Sequence, residues 1–125
     1  TRSAPCRRKV NSIHASGSTG LGVFEAACQT GKLVIGVDAD QYAEAPGYVL
    51  TSMVKQVDEV VYDAIERVKN GTFEGGIYTF GLAENGVGYI YDENNRALIP
   101  DPVKARLDAI RDSIVAGEIA VPSTR

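Results

Sequence analysis

An unbroken apolar run, Leu33-Val34-Ile35-Gly36-Val37, gives way at once to Asp38-Ala39-Asp40-Gln41. No polar residue interrupts the run, so it lacks the alternation of a strand with one wet face. It reads as a parallel strand covered on both sides. Such a strand needs a crossover to a parallel neighbour, and the flanking pattern supplies one. Upstream, Val10 to Ala15 is a short mixed run with strand character. Ser16-Gly17-Ser18-Thr19-Gly20 follows as a small-residue loop, and Leu21, Phe24, Ala27 and Cys28 then recur at helical spacing. Ser18 or Thr19 is the expected N-cap of that helix, and Gly31 its stop.

Downstream, Ala45-Pro46-Gly47 marks a turn and Tyr48-Val49-Leu50-Thr51 a further strand. Ser52 is the expected N-cap of a strongly amphipathic helix. Val54, Val57, Val61, Ala64, Ile65 and Val68 line one face of it, and Asn70-Gly71 ends it. Tyr78 and Phe80, then Val87, Tyr89 and Tyr91, alternate on either side of Glu84-Asn85-Gly86, the pattern of a hairpin. Pro102 fits a helix start, with Val103, Leu107, Ile110 and Ile114 on one face and Gly117 as the stop. The order β-α-β, then β-α-β-β-α, predicts an α/β fold in three layers around a mainly parallel sheet.

At 125 residues, with 44% hydrophobic and 23% charged content, the chain is long enough for a real core. Nothing approaches the roughly 18 consecutive apolar residues of a membrane span. No charged segment followed by an apolar run reads as a secretion leader. The net charge of −3 hides an asymmetry, because Arg2, Arg7, Arg8 and Lys9 crowd the start and leave an acidic body. An acidic body disfavours a nucleic-acid partner, and the basic start reads as a solvated terminus. Cys6 and Cys28 form neither a disulfide framework nor a metal-ligand spacing. Cys28 falls on the apolar helix face and reads as a buried thiol. Cys6 stands where a lipid-anchor cysteine would, yet no hydrophobic segment precedes it. No cofactor and no metal is called for.

Ligands of such folds gather at the carboxyl ends of the strands. Three loops bring glycines, Asp38 and Lys55 to one such edge, with Lys55 expected one turn into the long helix. The loop Gly17-Ser18-Thr19-Gly20-Leu21-Gly22 opens a helix, whose free N–H groups can hold an anion or a carbonyl oxygen. It carries neither the Walker lysine nor the dinucleotide fingerprint, and a tight strand-to-helix turn explains it equally well. Asp38 and Asp40 are two residues apart at a strand end. A carboxylate there can accept both hydroxyls of a sugar cis-diol; an Asx turn or a helix cap is the rival reading. A cation near a helix start opposes the macrodipole, so Lys55 calls for a carboxylate partner such as Asp38 or Asp58, unless it is an ordinary exposed lysine. His14, the only histidine, lacks the other members of a triad and reads as a strand-end or core residue. Tyr42, Tyr48, Tyr89 and Tyr91 suit stacking on a flat ligand, but alternating aromatics in strands mostly pack. The balance favours binding over catalysis.

The blocks His14 to Ala27, Ile35 to Gln41, Leu50 to Asp58, Phe73-Glu74-Gly75-Gly76 and Gly81 to Gly88 resemble, in order, those of the basic membrane protein family. These are substrate-binding lipoproteins of bacterial nucleoside ABC importers, among them the purine nucleoside receptor. The likeness covers residues 13–125 and leaves 1–12 as a basic, non-matching segment. The resemblance implies the C-terminal part of a type I periplasmic-binding fold, whose two α/β lobes close on a nucleoside. It implies that Asp38 binds the ribose hydroxyls, that Lys55 adds donors there and that Gly17 lines the same cleft. It further implies an ABC permease as partner and a lipid-anchored, extracytoplasmic location for the full-length protein. Family members are far longer, so the expectation is a fragment that holds half a binding site. Self-association through the uncovered surface follows from that expectation. The rival classes are a ligand-sensing domain of a transcription regulator and a hydrolase built on Asp38 and Asp40.

Overall fold

The computed structural model describes residues 10–13 and 20–122. Its elements follow the order β1 (Val10–Ile13), α1 (Leu21–Thr30), β2 (Leu33–Asp38), β3 (Val49–Lys55), α2 (Val57–Lys69), β4 (Val87–Tyr89) and α3 (Asp101–Val115). A 3-10 turn, Tyr42–Glu44, lies between β2 and β3. Among the described residues the strands form one sheet in the order β1-β2-β3-β4. β2 runs parallel to β1 on one side and to β3 on the other, as its continuous apolar run predicts. The fold is α/β with a mainly parallel sheet. The described residues divide into two compact units, 10–13 and 20–54 with 89–99, and 55–88 with 100–122.

The first unit holds a hydrophobic core of Phe24 and Ala27 from α1, Val34 from β2, Val49 from β3 and Ala45 from the intervening turn. Val23, Tyr42 and Tyr48 pack against it, which bears out packing as the role of those two tyrosines. Gly31 ends α1 in the left-handed conformation, φ 65°, as expected of a glycine stop. Cys28 is exposed, a correction to the buried thiol expected there. The inward face is set by Phe24 and Ala27, and the next residue is rotated about 100° away from it. The N-cap of α1 is Gly20, while Ser18 and Thr19 lie outside the described residues.

Ser52 is not a helix cap. Pairing with β2 carries β3 past it, with Gly36 opposite Ser52 and Asp38 opposite Val54, so the ladder overrides the local capping signal. Val54 is thus a strand residue, and α2 begins only at Val57 behind Gln56.

The second unit has another character. Neither α2 nor α3 buries a residue. Val57, Val61, Ile65 and Val68, the stripe of α2 legible in the sequence, are each more than half exposed. Asn70 and Gly71 end α2, and α3 carries proline in its first turn and ends before the left-handed Gly117, as expected. The expected hairpin is absent: only Val87–Tyr89 forms a strand there. Tyr78 is used otherwise, its hydroxyl donating to the Glu74 carbonyl at 2.7 Å and its ring lying 5.0 Å from the Arg67 guanidinium. Residues 81–86 close on themselves. The Gly86 N–H donates to the Gly81 carbonyl at 2.8 Å, and the Gly81 N–H to the Glu84 carboxylate at 2.8 Å. No described helix is long and apolar enough to cross a membrane.

Candidate ligand-binding site

Asp38 is the last residue of β2 and is exposed at the carboxyl end of the strand. Its φ is 72°, and the Ala39 N–H donates to the Val37 carbonyl across it at 2.9 Å. A bond between residues two apart around a positive-φ centre is a classic γ-turn, a rare and strained form. Strain of this kind costs on the order of 1–3 kcal/mol and persists only where surrounding contacts impose it. Asp40 has a plainer role. Its carboxylate accepts the Tyr42 N–H at 3.0 Å, so of the two readings open at that position the Asx turn is the one observed.

Two residues hold the chain around Asp38. The Gln41 side-chain oxygen reaches back to accept the Val37 N–H at 2.8 Å. The Gln41 N–H in turn donates to the Ser52 hydroxyl at 3.0 Å, and Ser52 is fully buried. Gly36 leaves the space for both: a Cβ there would lie 2.6 Å from the Ser52 hydroxyl and 2.9 Å from the Gln41 oxygen. Sequence reasoning missed Gln41 altogether and misassigned Ser52. The available signal was Gly36, since a glycine inside an apolar strand marks a close approach.

Lys55 is exposed and is the final residue of β3, which corrects the expected place inside the helix. It follows Val54, the residue that pairs with Asp38 in the parallel ladder. Its charge precedes α2 instead of sitting in the first turn, where Asp58 and Glu59 suit the positive end of the helix. Gly17 and His14 lie outside the described residues. Among the described residues no group of three or more His, Cys, Asp or Glu side chains could hold a metal ion.

Asp38 thus stands outside the carboxyl end of a parallel strand, the side on which open α/β sheets bind ligands. The model of the family described as ABC transporter substrate-binding protein PnrA-like matches residues 6–125. The chain belongs to that family. Basic membrane protein D of Borreliella burgdorferi is 38% identical over 112 residues, which cover 86% of this chain and 33% of the relative. An uncharacterized lipoprotein of Pyrococcus abyssi is 49% identical over 80 residues, 59% of this chain and 20% of that one. A crystal structure of an ABC transporter solute-binding protein from Aeropyrum pernix superposes with a TM-score of 0.70 at 24% identity, over 94% of this chain and 41% of the other. A transcriptional activator of the comK gene from Bacillus halodurans gives a TM-score of 0.71 at 22% identity over 82% of this chain and 35% of the other, a likeness of fold. The chain thus spans about a fifth to a third of the length of the curated relatives it matches.

Proposed function

We propose that the chain carries part of the ligand site of a nucleoside-binding protein of an ABC importer, and that Asp38 accepts the ribose hydroxyls. The observation that carries this is the strained, exposed Asp38 turn on the strand end. Strain kept at an exposed position has no role in packing, and a carboxylate carried on a fixed backbone suits bidentate acceptance from a cis-diol. On the family resemblance, Lys55 and Gly17 are also assigned to the ligand, Lys55 as an ammonium donor to the sugar. Membership of the substrate-binding family supports a small-molecule ligand and a transporter partner. Names of relatives as lipoproteins and membrane proteins support a lipid-anchored, extracytoplasmic place for the full-length protein. The activity is binding without turnover. The regulator reading draws on one likeness of fold at 22% identity, and the family match favours import over it.

With so small a share of the relatives' length, affinity is expected to be weak, a Kd of about a millimolar or worse. Calorimetry with inosine should show a shallow isotherm that Asp38→Ala removes. A micromolar Kd would contradict the half-site, and equal heats in both proteins would contradict the role of Asp38.

We propose further that the bare α2 stripe is covered by a second copy of the chain. Asp58 and Lys69 lie about three turns apart on one flank of that stripe. A two-fold, antiparallel pairing of α2 with its copy brings Asp58 of each helix beside Lys69 of the other and opposes the two helix dipoles.

A further inference from the structure

A left-handed aspartate at a strand end relaxes to negative φ unless something prevents it. Around Asp38 three devices act together. The Val37 carbonyl is held by the Ala39 N–H, and the Val37 N–H by the Gln41 side chain, so both polar groups of the residue before Asp38 are fixed from the far side of the turn. Gln41 is itself fixed, because its N–H ends on the hydroxyl of Ser52. Ser52 belongs to the neighbouring strand and is 0% exposed, so its hydroxyl cannot turn to water for another partner. Gly36 completes the arrangement: it faces Ser52 in the ladder, and any larger residue would push both the hydroxyl and the Gln41 amide away.

We infer that Gln41 and Ser52 form a clamp that holds Asp38 in its γ-turn, which makes them positioning residues for the sugar site. The inference rests on the reading of Asp38 as the ligand group, but the clamp itself is testable without ligand. Neither residue needs to touch the nucleoside. Their work is done before it arrives: a backbone already held in place has less conformational freedom to lose on binding.

The test is amide hydrogen exchange with backbone couplings, measured by NMR on the whole chain and three variants. Gln41→Leu keeps the bulk and removes the acceptor. It should speed exchange at the Val37 N–H about tenfold and abolish the positive-φ signature of Asp38. The Val34 N–H, which donates to the Tyr48 carbonyl at 2.9 Å in the same strand, should keep its rate. Gln41→Glu retains an acceptor oxygen and should restore both signals, a rescue that general loosening would not give. Ser52→Ala should speed the Gln41 N–H selectively, and it decides the matter alone if Gln41→Leu does not fold. Unchanged Val37 and Asp38 signals in Gln41→Leu would overturn the clamp. So would parallel acceleration at Val34. With no nucleoside in the sample, a failed nucleoside reading leaves this result untouched.

Discussion

Phe24→Ala should destabilise the chain by about 3–5 kcal/mol, the usual cost of removing a buried phenylalanine ring. Phe24 is among the largest fully buried side chains, and it joins α1 to β2 and β3 through Val34 and Val49. The core beneath α1 is small, so few neighbours are available to collapse into the space. Against a typical domain stability of about 5–15 kcal/mol, such a loss removes a fifth of the total at the least. Urea unfolding followed by circular dichroism should show the midpoint fall steeply or the transition vanish. Leu21→Ala, in the same helix but half exposed, serves as the control and should move the midpoint little. A cost below about 1 kcal/mol for Phe24→Ala would mean that the helix does not rest on the sheet as described.

Replacing Val61 and Ile65 together by glutamate should convert an associating protein into a monomer. Both side chains are more than half exposed on α2, and contiguous apolar surface of this kind drives association. Glutamate is a good helix former, so α2 survives the change while its stripe becomes charged. Light scattering at rising concentration should give a dimer for the parent chain and a monomer for the double variant. A clean parent monomer at high concentration would count against the pairing outright. The antiparallel geometry adds a sharper expectation. Lys69→Glu sets two acidic side chains against each other and weakens the dimer, while Asp58→Lys combined with Lys69→Glu restores it by exchanging the partners. A swap that fails to restore association would leave the stripe in contact but overturn the two-fold antiparallel pairing.

Much of this fold is legible in the sequence wherever one physical signal acts alone. The run Leu33 to Val37 announces a doubly covered strand, and Gly31, Asn70-Gly71 and Gly117 stop helices where left-handed or fraying geometry is needed. The failures fall where two signals compete. Ser52 has the chemistry of a cap, but pairing with β2 extends the strand through it, and no local pattern reveals the length of a ladder. Tyr78 and Phe80 alternate as a strand would, yet Tyr78 bonds to Glu74 and lies on Arg67. Close packing of Gly86 on Phe80, where a Cβ would stand 2.5 Å from the Phe80 carbonyl oxygen, is equally invisible to periodicity. At the site, the switch from Val37 to Asp38 marks the end of β2, where the structure also ends the strand. The left-handed backbone and the reach of Gln41 do not follow, because both depend on a neighbouring strand that is remote in sequence.

The central claim is that Asp38 recognises the sugar hydroxyls of a nucleoside, and an NMR titration with matched ligands tests it most directly. Inosine at millimolar concentration should shift the amide signals of Asp38 and Ala39. 2′,3′-Dideoxyinosine, which lacks the paired hydroxyls but keeps the base, should leave them in place. Equal shifts with the two ligands, or shifts confined to residues away from the end of β2, would contradict the account.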